Sequence, residues 1–241
     1  MTLAQLHGTK KAPFPWLPNI TSDRPLVKLG YICRLQNGIT VNGSRIATGD
    51  TVTRPYLRVA NVQAGRVALD SVTEITVPRK VAERSTLRPG DVLMTEGGDL
   101  DKLGRGTVWS GEIPQCLHQN HVFALRPDES TLNGKYLALM TQTMHGRCYF
   151  ESTGSRTTNL ASTNSSKILG FPIPLPPMET QLNLVDKVKA ELQATSAVRA
   201  LLNRQLMLLA ERRQALITAA VTGQFDVTSA SGRNVTEGVA V

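Results

Sequence analysis

Three side chains in the stretch Cys116-Leu117-His118-Gln119-Asn120-His121 are of the types that hold a transition metal. Their spacing does not assemble a site. A fourth ligand is missing, and on a strand Cys116 and His118 point to one face while His121 points to the other. The reading is no metal. Other catalytic frameworks are absent from the sequence: there is no GxSxG elbow, no GxxxxGK[ST] phosphate loop, and no glycine-rich cofactor turn paired with an NPPY-like adenine-methylating loop. The chain is therefore expected to be non-catalytic and to bind no cofactor of its own.

A different chemistry has its residues present. Gly97-Gly98-Asp99-Leu100-Asp101-Lys102-Leu103-Gly104-Arg105 combines glycines, which allow close backbone approach, with the cations Lys102 and Arg105. Ser155-Arg156-Thr157-Thr158-Asn159 offers a guanidinium suited to guanine, an amide suited to adenine, and hydroxyls suited to phosphate or a thymine methyl. Arg58 and Asn61 stand three apart in a β-prone run, so at most one of them faces a ligand. Each segment also has an ordinary structural reading: a tight hairpin with solvated charges for the first, a turn or helix cap for the second. Asn120 and His121 read as turn-closing residues.

The charge balance supports a polyanionic partner. The net charge is +8, and residues 1–178 hold 20 Lys and Arg against 13 Asp and Glu, whereas residues 179–227 hold 6 against 5. The positive field thus belongs to the first part of the chain. No apolar run reaches the ~18 residues of a membrane span, and residues 1–16 lack a signal-peptide core. Three cysteines without CxxC spacing fit a reduced, cytoplasmic setting.

Four segments must position these residues. Residues 1–22, with Pro13, Pro15 and Pro18, read as an irregular arm, and residues 224–241 as a flexible tail. Residues 23–175 alternate glycines with short β-prone runs, which predicts a twisted, mixed sheet. Arg88-Pro89-Gly90-Asp91 is a turn into the buried strand begun by Val92-Leu93-Met94. A helix is predicted over residues 132–145, with Leu137, Met140, Thr141 and Met144 on one face.

Residues 176–223 read as one long helix. Pro172, Pro174, Pro176 and Pro177 enforce an extended approach, and neither proline nor glycine follows until Gly223. About 45 helical residues would span roughly 65–70 Å. A seam runs through Val185, Val188, Leu192, Thr195, Arg199, Leu202, Leu206, Leu209, Arg213, Leu216 and Ala220, eight of the eleven being apolar. Val198, Leu201 and Leu208 widen the stripe. A domain of this size, with a radius of gyration of about 15 Å, cannot cover such a helix, so a partner helix is required. The fold class is α+β: a twisted-sheet domain followed by a long coiled-coil helix.

Several blocks, in order, resemble one family. Pro55-Tyr56-Leu57-Arg58-Val59-Ala60-Asn61-Val62-Gln63 is similar to the "YLRVANV" strand of target-recognition domains in the DNA-specificity subunits of type I restriction–modification systems. Leu87-Arg88-Pro89-Gly90-Asp91-Val92-Leu93 with Glu96-Gly97-Gly98, and then Leu103-Gly104-Arg105-Gly106, resemble the next blocks. Gln119-Asn120-His121-Val122-Phe123 with Leu125-Arg126-Pro127 follows. Thr157-Thr158-Asn159-Leu160, Phe171-Pro172-Ile173-Pro174-Leu175-Pro176-Pro177 and Glu179-Thr180-Gln181 resemble the end of the recognition domain and its helix entry. Leu216-Ile217-Thr218-Ala219-Ala220-Val221-Thr222-Gly223 resembles the end of the spacer helix. Family members usually carry two recognition domains and two helices; here there is one of each.

The resemblance implies a non-catalytic reader of double-stranded DNA within a phage-defence complex. Lys102, Arg105, Arg156, Thr157, Thr158, Asn159, Arg58 and Asn61 are the expected DNA contacts. Val185, Val188, Leu192, Leu202, Leu206, Leu209 and Leu216 would form a homodimer seam that lets two copies read an inverted, bipartite site. Val198, Leu201 and Leu208 would dock a modification subunit that uses S-adenosylmethionine. A restriction subunit would use ATP and Mg2+. The rival reading is a coiled-coil adaptor that binds proteins rather than DNA.

Overall fold

The computed structural model describes residues 12–14, 17–22, 24–40, 49–98, 103–156 and 161–224. The chain divides into two compact units, Met1–Asp186 and Lys187–Val241. The first is built on a four-stranded antiparallel sheet in the order Gly106–Val108, Val92–Thr95, Val122–Pro127, Cys33–Asn37. Its strands alternate in the way a sheet buried on both faces requires. Val92, Met94, Phe123 and Leu125 enter one core with Leu29, Leu137, Phe150, Ile168, Phe171 and Ile173. Leu93, Val122 and Ala124 enter a second with Leu57, Leu87, Trp109 and Cys116.

The first core is covered by short helices. Helix α1 (Arg79–Ser85) lies elsewhere, against the sheet formed by Leu117–His118, Thr51–Leu57 and Thr73–Pro78. Helices α2 (Gly134–Gln142), α3 (Met144–Thr153) and α4 (Ser165–Gly170) contribute Leu137, Phe150 and Ile168 to the first core. The single helix expected over residues 132–145 is broken at Thr143. Its hydroxyl accepts the Gly146 N–H as the cap of α3 and donates to the Met140 carbonyl at 2.7 Å. The chain restarts in a new direction there, so Met144 is 61% exposed rather than on the buried face with Leu137 and Thr141. The N-terminal segment, read as irregular, contains an antiparallel ribbon of Ala12–Phe14 and Leu17–Ser22. Prolines are tolerated at such edges because no ladder donor is needed there.

The Arg88-Pro89-Gly90-Asp91 turn closes through the Asp91 N–H on the Arg88 carbonyl at 3.0 Å. The Asp91 carboxylate also accepts the Arg88 N–H at 2.8 Å. It then receives both Nε and Nη2 of Arg126, each at 2.8 Å, across the sheet. Two blocks separated by more than 30 residues are thus joined by one bidentate ion pair, with Asp91 buried.

The long helix α5 (Met178–Val221) has 44 residues. Its start is held by Gln181, which is fully buried. The Gln181 amide donates to the carbonyls of Thr131 and Pro176, both at 2.9 Å, and accepts the Asn133 N–H at 2.9 Å. Its end follows the expected stop. Gly223 has φ 74°, the Gln224 N–H reaches the Ala219 carbonyl at 2.8 Å, and the Gly223 N–H reaches that of Ala220 at 3.3 Å. This pairing satisfies the last carbonyls and needs a residue free to adopt positive φ.

Candidate nucleic-acid interface

A small three-stranded sheet organises the site. Gly97–Gly98 pairs antiparallel with Ala161–Ser162, which pairs antiparallel with Ser155–Arg156. Gly98 and Arg156 both lie opposite Ala161. The segment leaving Gly98, the segment leaving Arg156 and the segment entering Ala161 therefore share one end of one sheet. The two stretches singled out for DNA contact, distant in sequence, are rooted side by side.

The roots are firmly built. Leu103 is 3% exposed, and a Cβ placed on Gly104 would come within 2.1 Å of the Phe150 ring, so this end of the first loop sits hard against α3. The Thr163 N–H donates to the Glu96 carbonyl at 2.7 Å. Asn164 caps α4 by accepting the Lys167 N–H at 2.9 Å, and the Lys167 ammonium donates to Ser155 Oγ at 2.9 Å.

Lys102, Thr157, Thr158 and Asn159 lie outside the described residues, and for Arg156 only the backbone is described. Arg105 is half-buried, directly after the Leu103–Gly104 turn. Arg58 is exposed and donates to the Ser71 carbonyl at 3.4 Å. Asn61 is corrected. It is 2% exposed; its Oδ1 accepts the Arg58 N–H at 2.8 Å and its Nδ2 donates to the Ala68 carbonyl at 2.9 Å. The β-run ends at Leu57, and Val59–Asn61 is a 3-10 turn that folds the amide inward as a clasp on its own loop. Its groups are spent on backbone, so it does not present a base-reading edge.

The titratable side chains in the CLHQNH stretch are placed differently from one another. Cys116 is fully buried, and burial pushes its thiol up to about 12; burial does the same to Cys33. Both are protonated thiols that pack as small apolar groups. His118 is fully buried, and its Nδ1 donates to the Val122 carbonyl at 2.7 Å. Burial holds its imidazole below the ordinary range. His121 is exposed, and its Nδ1 is held by the Glu96 carboxylate. Among the described residues no cluster of three or more His, Cys, Asp or Glu could hold a metal ion. Sequence reasoning passed over Glu96, Gln181 and the Asp91–Arg126 pair as working residues. Their signal was their position inside the family-like blocks.

Along α5, one expected seam residue is corrected. Val185 is 8% exposed and belongs to the first core of the Met1–Asp186 unit, one turn after Gln181, so it is unavailable to a partner. Val188 is half-buried. Leu192, Leu202, Leu206, Leu209 and Leu216 are all exposed, as are Val198, Leu201 and Leu208. No helix among the described residues is long and apolar enough to cross a membrane.

No family model matches the chain. Curated relatives do. The type I restriction enzyme MjaX specificity subunit of Methanocaldococcus jannaschii is 21% identical over 148 residues, 61% of this chain and 34% of that protein. The type I restriction enzyme StySPI specificity subunit of Salmonella potsdam is 22% identical over 180 residues, 73% of this chain and 38% of that protein. Among solved structures, the HsdS subunit of Thermoanaerobacter tengcongensis matches 81% of this chain and 42% of its own, with TM-score 0.50 and 22% identity. A chain from a structure of a type I R-M system, solved to explain its complex assembly and conformational transition, matches 89% of this chain and 47% of its own, with TM-score 0.56 and 22% identity. The chain therefore spans between a third and a half of the length of these relatives. In sequence the chain is thus similar to specificity subunits of type I restriction enzymes, and in fold to HsdS-type chains.

Proposed function

We propose that this chain is a DNA-specificity subunit that reads one half of a bipartite duplex site and leaves chemistry to its partners. The observation that carries the reading is the convergence of two polar, glycine- or threonine-rich segments at one end of a small sheet, within a unit of net positive charge. Lys102, Arg105 and Arg58 are assigned to phosphate, and Arg156, Thr157, Thr158 and Asn159 to base edges and neighbouring phosphates. Methyl transfer from S-adenosylmethionine and ATP- and Mg2+-dependent translocation and cleavage belong to separate modification and restriction subunits.

The exposed stripe of α5 is assigned to a second copy of the chain. A parallel pair would set Arg199 on Arg199 and Arg213 on Arg213 in its seam. An antiparallel pair instead sets Leu192 opposite Leu209 and Arg199 opposite Leu202. Avoidance of like-charge contacts thus favours the antiparallel pair, whose two-fold axis makes the two half-sites inverted copies. Val198, Leu201 and Leu208 extend the stripe toward a modification subunit, and charged replacements there should abolish its co-purification while sparing the dimer.

Selection from a random duplex pool tests the reading. The expected result is an inverted repeat bound with steep salt dependence. A single asymmetric half-site would remove the symmetric dimer, and indifference to any duplex, beside the cognate modification subunit as well, would leave the protein-binding adaptor in its place.

A further inference from the structure

Glu96 and His121 meet at the root of both candidate loops. The Glu96 N–H donates to the His121 carbonyl at 2.8 Å, and its carbonyl accepts the Thr163 N–H at 2.7 Å. Its neighbour Gly97 opens the small sheet. The pair therefore sits where the central sheet hands over to the loop-bearing sheet. Their side chains are 52% and 36% exposed for His121 and Glu96 respectively.

The chemistry of the pair is set by the carboxylate. A carboxylate only accepts, so the shared hydrogen lies on His121 Nδ1, and a ring carrying that one hydrogen has its lone pair at Nε2. No hydrogen-bond partner for Nε2 is found among the described residues. The corner thus presents the Glu96 carboxylate and, with the ring in its one-hydrogen form, His121 Nε2 as acceptors in an otherwise basic unit. A phosphate approaching this pair meets the negative charge of the Glu96 carboxylate. What fits is an N–H donor, and in the major groove the donors are the exocyclic amino groups of adenine N6 and cytosine N4.

We propose that Glu96 and His121 form a base-reading pair that accepts from the exocyclic amino group of an adenine or cytosine beside the bases met by the two loops. The inference rests on the DNA-reading role above. It gives the Gln119-Asn120-His121 stretch a division of labour: the Gln119 amide oxygen accepts the Val59 N–H at 3.3 Å, the Asn120 N–H donates to the Ile39 carbonyl at 3.1 Å, and the His121 imidazole is left to the surface.

The test is selection from a duplex pool randomised over the half-site, with the full chain and with its His121→Ala, Glu96→Gln and His121→Lys forms, each checked for native circular dichroism. The unsubstituted chain should select adenine or cytosine at one position. His121→Ala and Glu96→Gln should weaken that preference roughly fivefold to hundredfold, with the salt slope unchanged. His121→Lys, which offers a donor, should move the preference toward guanine. A uniform loss of affinity with the slope reduced by about one would make His121 a phosphate contact and overturn the proposal. Unaltered preferences in folded variants would make the pair purely structural. If the unsubstituted chain selects no sequence, the DNA-reading role itself fails, a result distinct from either of these.

Discussion

Asp91 is 1% exposed, and its carboxylate is engaged by the Arg88 N–H and by two guanidinium nitrogens of Arg126. Removing either partner strands the other in a site made for both. Asp91→Ala should therefore cost about 3–5 kcal/mol in urea unfolding, and Arg126→Ala should follow in the same direction. His118 adds a pH dependence. Burial lowers its pKa below the ordinary 6.5, so above that value both folded and unfolded chains hold it neutral. Below 6.5 the unfolded chain takes up the proton first, and stability falls as pH drops toward the folded value. His118→Asn, which keeps a donor for the Val122 carbonyl, should flatten this acid limb; an unaltered limb would move the effect to other groups, His145 among them. Part of this was legible in sequence. Arg88-Pro89-Gly90-Asp91 reads as a turn because proline and glycine impose one. The ion pair does not, because it depends on Leu125 lying opposite Val92 across two strands. Asn61 likewise reads as a polar surface residue until the 3-10 turn that buries it is known.

At the scale of elements, the prolines before Met178 and the glycine at 223 mark both ends of α5, since each acts through local backbone geometry. The partition of its faces is not local. Periodicity puts Val185 in line with Leu192 and Leu202, yet Val185 is in the core of its own unit while the other two are exposed. Two substitutions separate these roles. Val185→Ala should lower the unfolding free energy of the Met1–Asp186 unit by roughly 1.5–3 kcal/mol without changing oligomeric state. Leu202→Glu should do the reverse: the proposed dimer should sediment as monomer, and the unfolding of the Met1–Asp186 unit should hold. A monomer from Val185→Ala with unchanged stability would return that residue to the seam. The break at Thr143 follows the same logic. Helical periodicity runs through it, but a threonine able to cap the next helix gives the chain an alternative to continuing.

At the scale of the molecule, the proposed antiparallel pair makes α5 a ruler. A helix of 44 residues is about 66 Å long, close to two turns of B-DNA at roughly 34 Å each. Its length, rather than any side chain, would then fix the unread spacer between half-sites. Deleting one heptad, residues 199–205, keeps the apolar stripe in phase and removes the seam positions Arg199 and Leu202, together with Leu201 and Arg204, while shortening the helix by about 10.5 Å. Both copies shorten together, so the two recognition units approach each other by that amount, equivalent to about 3 base pairs at ~3.4 Å of rise. Sites selected by the shortened chain should keep the half-site sequences of the parent and lose two to three base pairs of spacer, with weaker binding because the half-sites are also rotated about the duplex axis. A dimer that keeps the parental spacer after this deletion would mean that something other than the helix sets the distance. Loss of the half-site preferences themselves would instead trace the change to the recognition unit, which the deletion does not touch.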